Sequence, residues 1–245
     1  MRWKKAAIFQ GDLFWGVSEP KSRWQRGYRW CNRTLTVFGV VYISLLFNPQ
    51  IAFSHSFTHR NYTIHSSTPL NDDCRTVLER ADSLLKQSDI FSRDDHHDIF
   101  LCNDSTKFNA FFVRIGNWAY GFAHPTGNVF IANGSPTHDL AWKTVNTNIV
   151  RSLSGLIAHE VTHTLVLDHV GLIGQRRLPK WINEGYAEYI SLHDQKAYEF
   201  DICKDLPKSV RPFSIHPTYQ AHLTRVEMAL ENQPVSFEKL QQIAK

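Results

Sequence analysis

The sequence is poor in cysteine: Cys31, Cys74, Cys102 and Cys203 stand among 245 residues, and no two share a C-x-x-C spacing. That spacing excludes a zinc ribbon and a thioredoxin-like redox site. In an oxidising compartment Cys74 and Cys102 are candidates for a disulfide, with buried free thiols as the alternative. The chain also lacks internal repeats, low-complexity segments and any unbroken run of the roughly 20 apolar residues that a spanning helix ordinarily needs.

Charge of one sign is scarce outside the N-terminus. Residues 1–34 hold eight Lys or Arg against two acids, a net of +6 within a chain total of +4, so the remainder carries −2. The basic balance is a local property, and it gives no support to a nucleic-acid partner for the rest of the chain. With 42% hydrophobic and 20% charged residues, that remainder has an ordinary globular composition and enough length for one sizeable core.

The least polar stretch is Leu35 to Phe47, LTVFGVVYISLLF, followed by Asn48-Pro49-Gln50 and Ile51-Ala52-Phe53. Its length suits the roughly 7 to 15 residues of a signal-peptide core. Arg23, Arg26, Arg29 and Arg33 on its flank predict a cytoplasmic N-terminus and an exported, periplasmic or otherwise extracytoplasmic C-terminal part. Ala52-Phe53-Ser54 offers small residues where signal peptidase reads them. Two readings stay open: release after cleavage there, or an uncleaved signal anchor over 35–53 that holds the protein at the membrane. On either, residues 1–54 form a basic N-terminal segment and 55–245 a single domain.

Within that domain Asn61-Tyr62-Thr63-Ile64-His65 alternates polar with apolar residues, and Asp98 to Cys102 and Asn128 to Ala132 read as further strands. Cys74, Val77, Leu78, Ala81, Leu84 and Leu85 make one stripe of a helix. Ile149 to Leu167 is so apolar that a helix there must be buried on nearly all sides, and every polar residue on it then needs a partner. Helices follow over Pro179 to Leu192, Pro217 to Leu230 and from Ser236. Strands first and helices after predict an α+β fold: a small mixed sheet packed on a central helix, then a helical C-terminal part.

That buried helix carries His159-Glu160-Val161-Thr162-His163. Four residues advance a helix by slightly more than one turn, so both imidazoles leave one face and can share a metal ion, with Glu160 beside the first ligand as a general base. A catalytic zinc takes a third protein ligand, and His169 and Glu184 compete for the role. If the helix continues, His169 lies about 15 Å along the axis from His159 and off its face. Val166, where a sharp turn would have to occur, resists the positive φ that such a turn needs. Gly171 to Pro179 instead gives the chain room to reverse and bring Glu184 against the histidines.

Together with Trp181-Ile182-Asn183-Glu184-Gly185-Tyr186-Ala187-Glu188-Tyr189, the His159–His163 pentapeptide resembles the gluzincins. These are the zinc metallopeptidases that include thermolysin, the aminopeptidase N type enzymes and small peptidase-MA-like proteins. The resemblance is strong over residues 149 to 190 and implies a zincin-like fold, a peptide or protein substrate, and one Zn2+ held by His159, His163 and Glu184. It further implies Glu160 as the base, Glu188 as a carboxylate that orients a ligating imidazole, and Gly127 to Gly134 as the edge strand that pairs with substrate. The chain departs from the aminopeptidase pattern, having no G-x-M-E-N segment for a free α-amine. The pattern leaves the oxyanion partner open, with Tyr219 and His222 as candidates. The alternative is a catalytically inactive zincin-like domain that binds a partner while tethered to the membrane.

Overall fold

A computed structural model describes residues 23–112, 119–145, 148–192, 211–212, 217–230 and 236–243, the side chains of Gln25 and of residues 211–219 excepted. The chain forms two compact units, Met1–Pro49 and Gln50–Lys245.

In the first unit helix α1 (Arg23–Phe47) begins well before Leu35, so its apolar part, Arg26–Phe47, reaches 22 residues. By length and composition it can cross a membrane. Thr34 and Thr36 donate their hydroxyls back to the carbonyls of Trp30 and Asn32, at 2.8 and 2.9 Å, which keeps these polar groups satisfied within the helix. The helix stops at Phe47 because Asn48 precedes a proline and is pushed out of helical conformation. A continuous span to Phe53 is therefore not what forms. Pro49–Ala52 is a 3-10 turn, and Phe53 is buried against Phe100 and Phe111 of the second unit, at ring-centroid distances of 5.2 and 6.2 Å.

The second unit opens with β1 (His55–His59), β2 (Tyr62–Ser66), α2 (Asp73–Leu85), β3 (His97–Leu101), α3 (Ser105–Phe112), β4 (Gly121–Ala123) and β5 (Val129–Ile131). The five strands form a mixed sheet in the order β1-β2-β3-β5-β4, antiparallel at both ends and parallel between β2, β3 and β5. Strand alternation sorts the side chains onto two faces. Ile64, Ile99, Leu101, Val129 and Ile131 join the main core, while Phe100 and Phe130 stack at 4.9 Å on the other face with Phe122 and Phe111.

Next come β6 (Asn133–Ser135), β7 (Leu140–Trp142) and β8 (Ile149–Ser152), which with β9 (Arg211–Pro212) make a four-stranded sheet. The start of the apolar run at Ile149 is thus a strand, a correction to the predicted helix. Ser152 then caps α4 (Leu153–Arg177), its hydroxyl accepting from Gly155 N at 3.2 Å. Asp139 adds a carboxylate at that helix N-terminus, accepting from Ser154 N at 2.7 Å and Ser154 Oγ at 2.6 Å. Helices α5 (Lys180–Leu192), α6 (Pro217–Leu230) and α7 (Phe237–Ile243) complete an α+β fold, with α4 packed between the five-stranded sheet, α2 and α5.

Of the two states left open for Cys74 and Cys102, the disulfide does not form. They are buried free thiols, and burial pushes them up to about 11 and about 12. Cys203 lies outside the described residues. The segment from Gly127 to Gly134, expected as the edge strand that pairs with substrate, instead supplies β5, which is interior to the five-stranded sheet, and runs into β6, an edge of the four-stranded one. The edges of the five-stranded sheet are β1 and β4, and β4 is the one that lines a cleft beside α4.

Candidate metal centre

Helix α4 is buried from Leu153 to Val166, and beyond Ser154, which bonds Asp139, its polar residues divide into two groups. Thr162 and Thr164 satisfy their hydroxyls on the helix itself, donating to Ala158 O at 2.7 Å and Val161 O at 2.8 Å. His159, Glu160 and His163 face a cleft of about 900 Å³ between β4, α4 and α5. The i, i+4 spacing sets the imidazoles at 4.9 Å between centroids and 86° between planes, with the two Nε2 atoms 3.2 Å apart.

Glu184 arrives from α5, whose apolar side carries Trp181, Ile182, Tyr186 and Ile190 into the core. Its Oε2 lies 3.8 Å from His159 Nε2 and 3.7 Å from His163 Nε2. A triangle with sides of 3.2, 3.7 and 3.8 Å has a circumscribed radius of about 2.1 Å, against about 2.0–2.2 Å for Zn–N and Zn–O bonds. The three donor atoms therefore fit one small cation with no side-chain movement. His169 stands apart from them, its ring against Phe237 at 5.6 Å.

The chain reversal that brings α5 back is made at Gly171, where φ 71° and ψ 166° break α4 into two segments. A straight helix would hold positions 163 and 175 about 18 Å apart. Instead Gln175 Nε2 donates to His163 O at 2.8 Å, and Gln175, Arg176 and Leu178 become one wall of the cleft. The predicted open connection is thus largely helical, with only Leu178 and Pro179 between Arg177 and α5.

Behind the triad, Glu188 is 2% exposed. Its Oε1 is 3.6 Å from His159 Nδ1 and its Oε2 is 3.8 Å from Nη2 of the buried Arg151 on β8. On the other side His163 Nδ1 lies 3.4 Å from Asn183 Oδ1. Each imidazole thus has an oxygen behind the nitrogen that faces away from the triangle. Arg151, Asn183 and Gln175 were not foreseen. An Arg inside the apolar stretch Ile149-Val150-Arg151 was the available signal for the first.

Burial holds His159 well below the usual imidazole range, helped by the charges of His163 and Arg151. Burial opposes charge on His163 as well, but contact with Glu184 outweighs it and raises His163, while His163 lowers Glu184 in return. Burial lifts the Glu160 carboxyl to about 7.

Glycine fixes two close approaches. A Cβ on Gly121 would stand 2.8 Å from Phe130 O and 3.3 Å from Glu160 Cγ, so β4 lies directly against the Glu160 side chain. A Cβ on Gly185 would meet His222 O at 2.6 Å, so α6 crosses α5 beside Glu184. His222 is half-buried and its charge helps keep Glu184 ionised. The Tyr219 side chain lies outside the described residues.

The edge strand has unpaired backbone to offer. Tyr120 O accepts from Ala132 N at 2.8 Å and His124 N donates to Asn128 O at 2.7 Å, so the even-numbered residues face β5. In an antiparallel ladder the N–H and C=O groups of Gly121 and Ala123 then point outward. Among the described residues no strand pairs with them. Comparison of the chain with protein-family models, curated proteins and solved structures finds no match.

Proposed function

We propose that this chain is a zinc-dependent metallopeptidase of gluzincin type with a zincin-like fold, held at the membrane by α1 and acting on peptides or proteins on the exported side. The observation that carries the proposal is the His159, His163 and Glu184 triangle, sized for one zinc ion, set in a cleft beside both Glu160 and an open strand edge.

An extended peptide pairs with the outward N–H and C=O groups of Gly121 and Ala123, which holds its backbone across the cleft. When bound, a zinc ion supplies Lewis acidity, polarising the scissile carbonyl and easing the loss of a proton from water. Glu160 takes that proton as water adds to the carbonyl carbon, and passes it to the amine as the C–N bond breaks. Glu188 and Asn183 hold the two imidazoles in orientation, with Arg151 fixing Glu188 in turn. Tyr219 and His222, the latter beside Glu184, are the two candidates for stabilising the oxyanion.

The test is turnover of casein by the full-length protein in detergent. Activity should be abolished by a chelator and restored by zinc, and Glu160→Gln should bind zinc normally while losing hydrolysis by about 100-fold or more. Normal zinc content with no turnover of any peptide would favour a non-cleaving, membrane-tethered binding domain. Full activity in Glu160→Gln would remove Glu160 as the base.

A further inference from the structure

Four cations line the cleft around the triad: Lys143, Arg151, Arg176 and Lys180. Of its carboxylates, Glu184 belongs to the triad, Glu188 lies between His159 and Arg151, and Glu160 lies against β4. Among the described residues the ion pairs of the cleft are made by Arg151, His159 and His163, and none by Lys143.

The placement of Lys143 follows from strand register. Ala141 stands opposite Arg151 and Trp142 opposite Val150, so Lys143 projects to the same face as Arg151, one diagonal step away. The lysine is half-buried, with its Nζ 4.8 Å from the centroid of the Tyr120 ring. Burial, and then the Arg151 charge, push its ammonium below the usual range. Tyr120 directly precedes β4, which puts this charge at one end of the strand edge that faces the cleft. Glu188 already stands against Arg151, so among the ion pairs of the described residues it is the half-buried ammonium of Lys143 that has no carboxylate, and burying such a charge beside a guanidinium is unfavourable until an anion joins it.

We propose that Lys143, backed by the fixed charge of Arg151, forms an anion subsite that takes a carboxylate of the bound peptide. The carboxylate is an Asp or Glu side chain or the free C-terminus, and the inference rests on the cleft binding peptides as described above. Lys143 acts on choice of substrate: its Nζ lies over the Tyr120 ring, and among the described residues it makes no ion pair with the triad or Glu160.

The experiment measures binding and cleavage separately. Full-length Glu160→Gln protein, loaded with zinc, is titrated by fluorescence anisotropy with labelled peptides carrying Glu, Gln or Lys at one position in turn. Each peptide is made with a free and with an amidated C-terminus. A Glu peptide, or a free-acid peptide, should bind at least about tenfold more tightly than its neutral counterpart, and which pair shows the gap identifies the source of the carboxylate. Adding Lys143→Met should shrink that ratio to less than about twofold, and Lys143→Glu should invert it in favour of the Lys peptide. Equal affinities across the charge series, or no binding by any peptide, overturns the subsite. The same peptides are offered to the unsubstituted enzyme: cleavage without charge preference removes the subsite alone, whereas preference in binding without cleavage removes the peptidase reading alone.

Discussion

Replacing Gly171 by alanine isolates the backbone strain on which the cleft wall depends. Its φ of 71° and ψ of 166° fall in a region that is essentially restricted to glycine, where a side chain costs about 1–3 kcal/mol. A Cβ built there meets nothing within 4 Å, so no steric clash or gained contact confuses the result. For a unit of this size each kcal/mol lowers Tm by about 2–4 °C, which predicts a fall of about 2–12 °C for Gly171→Ala. The loss need not be global. If the second segment of α4 detaches, Gln175 leaves His163 O, Arg176 and Leu178 leave the cleft, and amide exchange should quicken over residues 172–178 before the rest of the unit opens. Thermal unfolding followed by circular dichroism, with hydrogen exchange read by mass spectrometry, measures both effects. An unchanged Tm together with unchanged exchange in that segment would refute the account of the reversal.

His163→Ala and Glu184→Ala should each lower bound zinc, while His169→Ala should leave it unchanged; elemental analysis of the purified variants decides between a Glu and a His as third ligand. Burial lowers His97 from 6.5 to about 4, so its imidazole is neutral when folded and takes up a proton near pH 6.5 when unfolded. Its contribution is complete above about pH 6.5 and is lost as pH falls toward about 4, by up to about 3 kcal/mol, so urea unfolding of His97→Gln should depend less on pH across that window. Cleavage near Ser54 would strip Phe53 from Phe100 and Phe111 and remove the Ala52 carbonyl to which Lys107 Nζ donates at 2.7 Å. The mature protein should therefore keep α1, and recovery of peptides from residues 1–54 in membrane fractions by mass spectrometry tests it.

What the sequence disclosed depended on the distance over which each feature is written. The i, i+4 histidines, the stripe of α2 and the ends of α6 are local and legible. So was the continuation of the helix past Val166, which sets the His169 ring against Phe237 and apart from the paired histidines. The strand at Ile149 was not, since a short apolar run continuous with a helix has no period of its own. The edge position of β4 was also hidden. Its three residues carry no alternation, and pairing with β5 rather than with another strand is a fact of topology.

The same division explains the part of the site that was missed. Glu188 could be placed because it lies four residues beyond Glu184 on one helix, whereas Arg151 reaches Glu188 from a strand 37 positions earlier in the chain. Nothing local marks such a pair, but burial does: a guanidinium enclosed in an apolar stretch is costly unless a carboxylate accompanies it. Once β8 is known to hold Arg151, the register of the hairpin with β7 puts Lys143 beside it, and the second cation has no carboxylate of its own among the cleft's ion pairs. Two positive charges placed by strand pairing, only one of them matched by a carboxylate among the ion pairs of the described residues, would make the proposed preference for an anionic substrate a consequence of the fold rather than of a metal.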